Sequence, residues 1–228
     1  MKTSTAQVGG PNAGRRLIPK TMAKTARYGT PRPYGLGVVR ETGIMGRCYR
    51  ARVSTEVIVL NGVSSSGKTT IARSLQAVLV TPWLLLGVDD LIRSMPNEGL
   101  EDGTLLHIGD TGQVDVGPGW RELEASWYLG VAAMVANGTG VIVDEVFLGG
   151  RRSQEQIEVA FSDLGVLWVG VKCDREVARA REILRPDRVT GMALAQEAVV
   201  HEGVMYDVVV DTSHASPESC AATILSRM

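Results

Sequence analysis

Five short runs of apolar residues recur along the chain, and each is followed by a stretch with helical spacing. The runs span 57–60, 83–88, 141–143, 166–171 and 207–211, the last between two acids. Short runs rich in Val, Ile and Leu are typical of buried parallel strands. Because strands and helices alternate, the pattern predicts an α/β fold, with a five-stranded parallel sheet and helices on both of its faces.

The predicted helices follow each strand, with one irregular interval. The stretches with apolar residues at helical spacing are 70–79, 120–136, 151–164, 175–184, 192–200 and 217–228. One or two helical turns are also predicted at 91–95, closed by Pro96. The Gly- and Asp-rich stretch 96–119 is long for a connection inside a compact domain, which is usually a sign of function. A short hairpin is predicted around 110–112, and Trp120 or Trp127 is expected to line a site beside this stretch.

Residues 1–52 differ from the rest in composition and charge. They are rich in Gly, Pro, Thr and Arg, have no sustained apolar period, and are predicted to be a mostly disordered extension of a domain at 53–228. Three interpretations stay open: an Arg-rich transit-like leader, a basic arm that touches nucleic acid or membrane, or a leader without a working role. The third includes the case that translation starts at Met22, Met45 or Val53.

The formal net charge of −1 conceals an asymmetry between the two parts. Residues 1–52 carry a net charge of +10 and residues 53–228 a net charge of −11. The acidic domain is therefore not expected to bind nucleic acid. Its cysteines form no C-x-x-C pair, which argues against a disulfide framework or a zinc site and favours the cytoplasm. No apolar run approaches the ~18 residues of a membrane span, and formation of a homo-oligomer is left open.

The segment 62–69, Gly-Val-Ser-Ser-Ser-Gly-Lys-Thr, fits the P-loop pattern G-x-x-x-x-G-K-[ST] between a predicted strand and a predicted helix. The glycines allow a tight turn whose backbone N–H groups point at phosphate oxygens, beside a helix N-terminus. Lys68 is expected to reach the β- and γ-phosphates, and the Thr69 hydroxyl to hold Mg²⁺. The predicted nucleotide contacts are Gly62, Val63, Ser64, Ser65, Ser66, Gly67, Lys68, Thr69 and Thr70. The pattern predicts binding of ATP or GTP.

Two carboxylates stand at the carboxyl ends of predicted strands, where open α/β sheets bind ligands. Asp89 precedes the long connection and is the candidate base that takes the proton from an acceptor hydroxyl. Asp144 is the candidate for the Mg²⁺ shell. Their strands are expected to neighbour the P-loop strand. The alternatives are a helix cap for Asp89 and a hydrogen-bonded structural role for Asp144, while Asp90 is expected to be a cap.

Three arginines cluster around Pro186, which interrupts the chain between two predicted helices. Arg181, Arg185 and Arg188 are therefore candidates for a phosphate-binding lid that closes over the nucleotide and excludes water. The alternative is a solvated basic face that pairs with nearby acids.

Several longer strings together resemble the chloramphenicol phosphotransferases. These strings are Leu60-Asn61-Gly62 through Lys68-Thr69, Gly87-Val88-Asp89, Met95-Pro96, the segment from Asp144 to Gly150, Leu167 to Val171, the segment from Asp187 to Ala193, and Val199 to Val208. The likeness runs from about residue 54 almost to the C-terminus. The P-loop occurs in many nucleotide-binding proteins, but the longer strings are specific.

The resemblance implies a P-loop kinase related to shikimate and adenylate kinases. Such enzymes transfer the γ-phosphoryl group of ATP to the primary hydroxyl of chloramphenicol, which protects a producing bacterium from the drug. The base of the family matches Asp89, and its phosphate-binding arginines match Arg185 and Arg188. The expected partner is accordingly a small, hydroxylated acceptor molecule.

The chain also departs from the family pattern. Asp144-Glu145 stands where two aspartates are expected, and Ser66 and Thr69 replace an expected Ala and Ser. The segment 97–117 matches poorly, although it should determine the choice of acceptor. Two alternatives therefore stay open: a kinase of another hydroxylated antibiotic or metabolite, and a nucleotide-dependent switch or binding module.

Overall fold

A computed structural model of the protein describes residues 54–185 and 189–228. In chain order its strands are β1 Val57–Asn61, β2 Trp83–Gly87, β3 Leu106–Ile108, β4 Val114–Val116, β5 Gly140–Glu145, β6 Val166–Lys172 and β7 Val208–Asp211. Its helices are α1 Lys68–Val78, α2 Val88–Arg93, α3 Asn97–Glu101, α4 Pro118–Ala136, α5 Arg151–Ala160, α6 Arg175–Ile183, α7 Met192–Glu197 and α8 Pro217–Leu225. The predicted extension 1–52 lies outside the described residues, so the domain boundary at 53 stays a prediction.

Five strands form one parallel sheet in the order β2-β5-β1-β6-β7. The α/β fold with a five-stranded parallel sheet is thereby confirmed. One expectation about the order was wrong, because β2 does not neighbour the P-loop strand β1. Strand β5 lies between them and pairs with both. The carboxyl ends of β2, β5 and β1 still meet at one edge of the sheet, where ligands bind in such folds.

Each face of the sheet buries its own hydrophobic core, because successive side chains of a strand point to opposite faces. Ile58 and Leu60 of β1 pack in a cluster with residues of α1 and α8. Val57 and Val59 point the other way and pack in a cluster with residues of α4 and α5. All four side chains are fully buried. The central strand that carries the P-loop is therefore fixed from both sides.

The interval between β2 and α4 builds a smaller layer above the carboxyl edge of the sheet. Strands β3 and β4 form an antiparallel hairpin, which confirms the hairpin predicted around 110–112. A separate cluster of buried residues, Leu91, Met95, Leu106 and Trp120, joins this hairpin to α2 and to the first turn of α4. The Gly-rich interval is therefore packed, and it covers one end of the edge where ligands are expected.

Some predicted boundaries shift in the structure. Helix α2 begins at Val88, so Asp89 lies in the first helical turn rather than at the strand end. Helix α5 ends at Ala160, four residues before the predicted end. Among the helices of the described residues, none combines the length and the apolar character needed to cross a lipid bilayer.

Candidate active site

The P-loop connects the end of β1 to the start of α1, and its backbone takes left-handed conformations twice. Gly67, directly before the helix, has a φ of 93°, which favours glycine. Ser65 has a φ of 60°, an uncommon value for a residue with a side chain and one that clusters at functional sites. Gly62 allows a close approach, since a Cβ there would lie 2.3 Å from the carbonyl oxygen of Val171. The loop is thus held tightly against the neighbouring strand β6.

Lys68 is buried at the first position of α1, and its side chain folds back over the loop. Its Nζ donates to the carbonyl oxygens of Gly62 and Val63, both at 2.9 Å. The same Nζ lies 3.8 Å from Oδ1 of Asp144. The ammonium group therefore lies at the beginning of the P-loop, between the loop backbone and the carboxylate at the end of β5.

Thr69 and Asp144 form the pair that was predicted to hold Mg²⁺. The strand register places Asp144 beside Leu60, and Thr69 Oγ1 donates to Asp144 Oδ2 at 2.5 Å. Within residues 54–185 and 189–228, no group of three or more His, Cys, Asp or Glu side chains is arranged to hold a metal ion. Mg²⁺ usually keeps several waters and takes one or two carboxylates plus phosphate oxygens. A hydroxyl and a carboxylate beside a phosphate-binding loop fit that preference.

Three serine hydroxyls of the P-loop bear on whether the loop can bind a nucleotide. The Oγ atoms of Ser64, Ser65 and Ser66 are buried and have no hydrogen-bond partner among the described residues. Buried polar atoms without partners are rare and need an explanation. Phosphate oxygens would supply acceptors for such hydroxyls, so the loop fits the nucleotide that its sequence pattern predicts.

The two adjacent carboxylates after β2 have different surroundings. Asp90 accepts a hydrogen bond from the Gly87 backbone N–H at 2.9 Å and also pairs with Arg93, so it caps α2 as expected. Asp89 is half-buried and faces the cleft beside the P-loop. Gly87 pairs with Asp144 in the sheet, and a Cβ on Gly87 would meet the Asp144 carbonyl oxygen at 2.6 Å. The candidate base therefore lies only two residues after Gly87, the strand position that pairs with Asp144.

One cleft of about 1050 Å³ joins the P-loop to the small layer above the sheet. Its nucleotide end is lined by Lys68, Thr69, Thr70 and Asp144, and its other end by Asp89 and Trp120. The hairpin contributes four apolar residues to the lining, Leu106, Ile108, Val114 and Val116, and one carboxylate, Asp115. Trp120 thus lines the cleft as expected for one of the two tryptophans.

Glu145 occupies the position where the resemblance leads one to expect an aspartate. It is buried in the wall of the cleft. Burial raises the pKa of Glu145 to about 8, the hydrogen bond with Tyr128 opposes that rise, and the nearby Glu124 and Asp144 carboxylates add to it. Burial likewise raises the pKa of Tyr128 well above its ordinary value. This buried pair could not be foreseen, because it depends on the packing of α4 against β5.

The three arginines of the predicted lid do not behave alike. Arg181 lies inside α6, and its guanidinium donates to the carbonyl oxygen of Thr212 at 2.8 Å and to that of Ser66 at 3.5 Å. It therefore stabilises the P-loop backbone and also lines the cleft, and its part in a lid stays a prediction. Arg185 follows α6 and lines the cleft, while Arg188 lies outside the described residues.

Two polar residues that sequence reasoning missed hold the loops around the cleft. Asn61, the last residue of β1, accepts from Phe147 N–H at 2.9 Å and donates to the Val200 carbonyl oxygen at 2.7 Å. Gln196 of α7 accepts from the Ser64 N–H at 2.6 Å. Asn61 directly precedes the P-loop, so its position offered a signal. Gln196 offered none, because it lies between the recognised strings.

Comparison of the sequence with known proteins identifies the family of the chain. The sequence profile of the chloramphenicol phosphotransferase-like proteins matches residues 55–228, which is most of the chain and all of the described residues but one. The chain belongs to this family. Two Mycobacterium tuberculosis proteins, from strains CDC 1551 and H37Rv, are similar to it and are each described as "Putative O-phosphotransferase". Each is 29% identical over 170 residues, which cover 69% of this chain and 75% of the relative.

Solved structures support the family assignment at the level of the fold. A sugar kinase from Janibacter sp. HTCC2649 in an unliganded structure has a TM-score of 0.57 at 20% identity, covering 75% of this chain and 93% of its own. The Mycobacterium tuberculosis APS kinase in complex with AMPPNP and APS has a TM-score of 0.53 at 14% identity, covering 76% and 96%. The family member described here is thus a phosphotransferase with a P-loop kinase fold.

Proposed function

We propose that the protein transfers the γ-phosphoryl group of ATP to a hydroxyl of chloramphenicol and so confers resistance to the drug. The observation that carries the proposal is the single cleft in which the P-loop and Asp89 face the same space. Membership of the chloramphenicol phosphotransferase-like family supports the choice of acceptor.

Each residue of the site has a separate role in the proposed reaction. Lys68 binds the β- and γ-phosphates, and Thr69 and Asp144 hold Mg²⁺, which supplies neutralisation of phosphate charge when it is bound. Asp89 takes the proton from the acceptor hydroxyl. The acceptor oxygen forms a bond to the γ-phosphorus, the bond to the β–γ bridging oxygen breaks, and ADP leaves. Arg185 and Arg188 stabilise the charge on the transferring group.

The acceptor end of the cleft supports an uncharged acceptor with an apolar body. Its wall is formed mainly by the apolar side chains of the β3–β4 hairpin and by Trp120, and Asp115 adds a carboxylate that disfavours an anionic acceptor. Two arginines line this end, but Arg121 pairs with Glu124 at 3.0 Å and Arg93 pairs with Asp90. Guanidinium groups that are already paired attract an anionic acceptor less strongly. Chloramphenicol is uncharged, so it suits this lining.

A phosphorylation assay with several acceptors tests the proposal. The protein is incubated with ATP and Mg²⁺ and with chloramphenicol, other hydroxylated antibiotics, or anionic sugar phosphates, and products are read by mass spectrometry. Chloramphenicol should gain one phosphoryl group as ADP forms. Phosphorylation of a different compound alone would reassign the acceptor. Slow ATP hydrolysis that no acceptor stimulates would favour a nucleotide-dependent switch.

A further inference from the structure

Gln196 lies at the nucleotide end of the cleft without a role in the reaction as described. It belongs to α7, is 4% exposed, and lines the same cleft as Lys68. Its Oε1 accepts from the backbone N–H of Ser64 at 2.6 Å. Backbone N–H groups of a P-loop are the donors that bind phosphate. A buried carboxamide that touches one of them therefore lies where a nucleotide phosphate must bind.

The position along the loop tells which phosphate is nearest. The P-loop lysine reaches the β- and γ-phosphates. Here the Lys68 ammonium contacts the carbonyl oxygens of Gly62 and Val63, the two residues directly before Ser64. The N–H groups at the start of the helix, which also bind phosphate, lie on the other side of Gly67. Gln196 is therefore at the γ-phosphate end.

The bond to Ser64 also orients the carboxamide. Among the described residues, this is the one hydrogen bond that the Gln196 side chain makes, and it uses only the oxygen. The Nε2 group is bonded to the same carbon as Oε1, so it is held close to Ser64 with two N–H donors. We propose that Gln196 binds the γ-phosphoryl group of the nucleotide through Nε2 while Ser64 holds its oxygen. This inference rests on the proposed function and adds a residue to it.

Helix α7 is held in a way that suits such a contact. The buried carboxylate of Glu182 accepts from the backbone N–H groups of Gly191 at 2.8 Å and Ala193 at 2.9 Å, which ties the start of α7 to α6. Just beyond its end, the Val200 carbonyl oxygen accepts from Asn61 at 2.7 Å. Donors that are fixed before the reaction stabilise developing charge most effectively. Gln196 is therefore held in place before the nucleotide binds.

The test compares a nucleotide that has a γ-phosphoryl group with one that lacks it. Affinities of Gln196→Glu for AMPPNP and ADP, both with Mg²⁺, are measured by calorimetry beside the wild type. The glutamate can still accept from Ser64, but it presents a negative charge to the γ-phosphate in place of two donors. AMPPNP should bind at least about tenfold more weakly, whereas ADP affinity should stay within about twofold. Glu197→Gln, a charge change on the exposed side of the same helix, is the matched control and should change neither.

The outcomes separate this inference from the proposed function. Equal losses for AMPPNP and ADP, or no loss for either, would overturn the role of Gln196. If Gln196→Glu does not fold, Gln196→Ala gives the same contrast in a neutral form, with a larger loss for AMPPNP than for ADP. The assay needs no acceptor, so failure to phosphorylate chloramphenicol leaves it intact. A wild type that binds neither nucleotide overturns the inference and the kinase proposal together.

Discussion

Asp89 and Asp90 are neighbours in sequence, yet their surroundings assign them different roles. Asp90 accepts a hydrogen bond from the Gly87 backbone N–H and forms an ion pair with Arg93, whereas Asp89 faces the cleft. We therefore expect Asp89→Asn to lower kcat for phosphoryl transfer by about 10²- to 10⁴-fold, the usual contribution of a positioned base. Nucleotide affinity should stay close to that of the wild type. Steady-state kinetics and calorimetric titration with ADP measure the two quantities.

The neighbouring residue supplies the control for this variant. Asp90→Asn removes one charge from the same turn but keeps an oxygen that can cap α2, so its kcat should stay within several-fold of the wild type. Lys68→Ala should differ from both, because it removes a phosphate contact and lowers rate and affinity together. Near-normal turnover in Asp89→Asn would remove Asp89 from the role of base.

At the scale of single residues, local spacing revealed the P-loop and the acids after the strands, but not their tertiary partners. Lys68 and Thr69 stand at fixed offsets from Gly62, so a pattern identifies them. Gln196 and Ser64 are 132 positions apart, and nothing in the local sequence of either indicates the other. The contact arises only when α7 packs beside the loop. Partners of this kind require the fold itself.

The turn of the β3–β4 hairpin packs directly against the start of α7, and two glycines make this contact possible. Gly112 has a φ of 82°, and a Cβ there would lie 2.4 Å from the Met192 backbone nitrogen. A Cβ on Gly191 would lie 2.7 Å from the Thr111 carbonyl oxygen. The element that covers the acceptor end thus touches the helix that carries Gln196.

We expect Gly112→Ala to separate the hairpin from α7. The alanine must take an unfavourable backbone conformation and also displace the α7 backbone, so the free energy of unfolding should fall by about 1–3 kcal/mol. Because the hairpin lines the acceptor end, KM for the acceptor should rise as well. Chemical denaturation and steady-state kinetics of the purified variant measure the two effects.

A second glycine separates backbone strain from the lost contact. Gly138 has a φ of 90°, and a Cβ there would meet nothing within 4 Å. Gly138→Ala should therefore lower stability through strain alone and leave KM for the acceptor unchanged. If Gly112→Ala matches Gly138→Ala in both measurements, the contact between hairpin and α7 has no part in acceptor binding.

Among the elements, the apolar runs predicted each strand of the parallel sheet, but the order of the strands did not follow from them. The runs of β2 and β5 have the same apolar character, so sequence alone does not tell which one lies beside β1. The close approach of Gly87 to Asp144 accompanies the pairing of β2 with β5. The start of α2 was also missed, because the strand run 83–88 continues into its first residue.

At the scale of the whole molecule, the fold brings distant parts of the chain together at one edge of the sheet. They form the phosphate-binding end and the acceptor end of one cleft. The phosphate-binding end comes from β1, α1 and β5, and the acceptor end from the interval between β2 and α4. The first is common to P-loop proteins and was recognisable in the sequence. The second matched the family poorly in sequence, and its apolar wall became visible only in the structure. The sequence therefore indicates the family but not the lining of the acceptor site.

A hydrogen-bonded chain behind the cleft links the P-loop strand to the region around His201 and depends on the protonation of that histidine. Asn61 Nδ2 donates to the Tyr206 hydroxyl at 2.6 Å, and this hydroxyl lies 2.6 Å from His201 Nδ1. When His201 Nδ1 carries no proton, the Tyr206 hydroxyl can donate to it while its oxygen accepts from Asn61. Burial lowers the pKa of His201 below 6.5, and Lys172 and Lys68 lower it further.

The lowered pKa of His201 predicts that the contribution of this residue to stability is lost in mild acid. Below pH 6.5 the unfolded chain takes up a proton at His201 that the folded chain does not, so this contribution falls as pH drops through the lower folded pKa. Glu145, whose pKa is raised to about 8, has the opposite effect in the wild type and in the variants alike. His201→Asn, whose Oδ1 can still accept from Tyr206, should lack the contribution of His201, so its free energy of unfolding should rise relative to that of the wild type between pH 7 and pH 5. Urea denaturation at both pH values measures it. His214→Asn, on an exposed side chain, should keep the wild-type difference between the two pH values. Equal pH dependence in the wild type and His201→Asn would contradict the assignment.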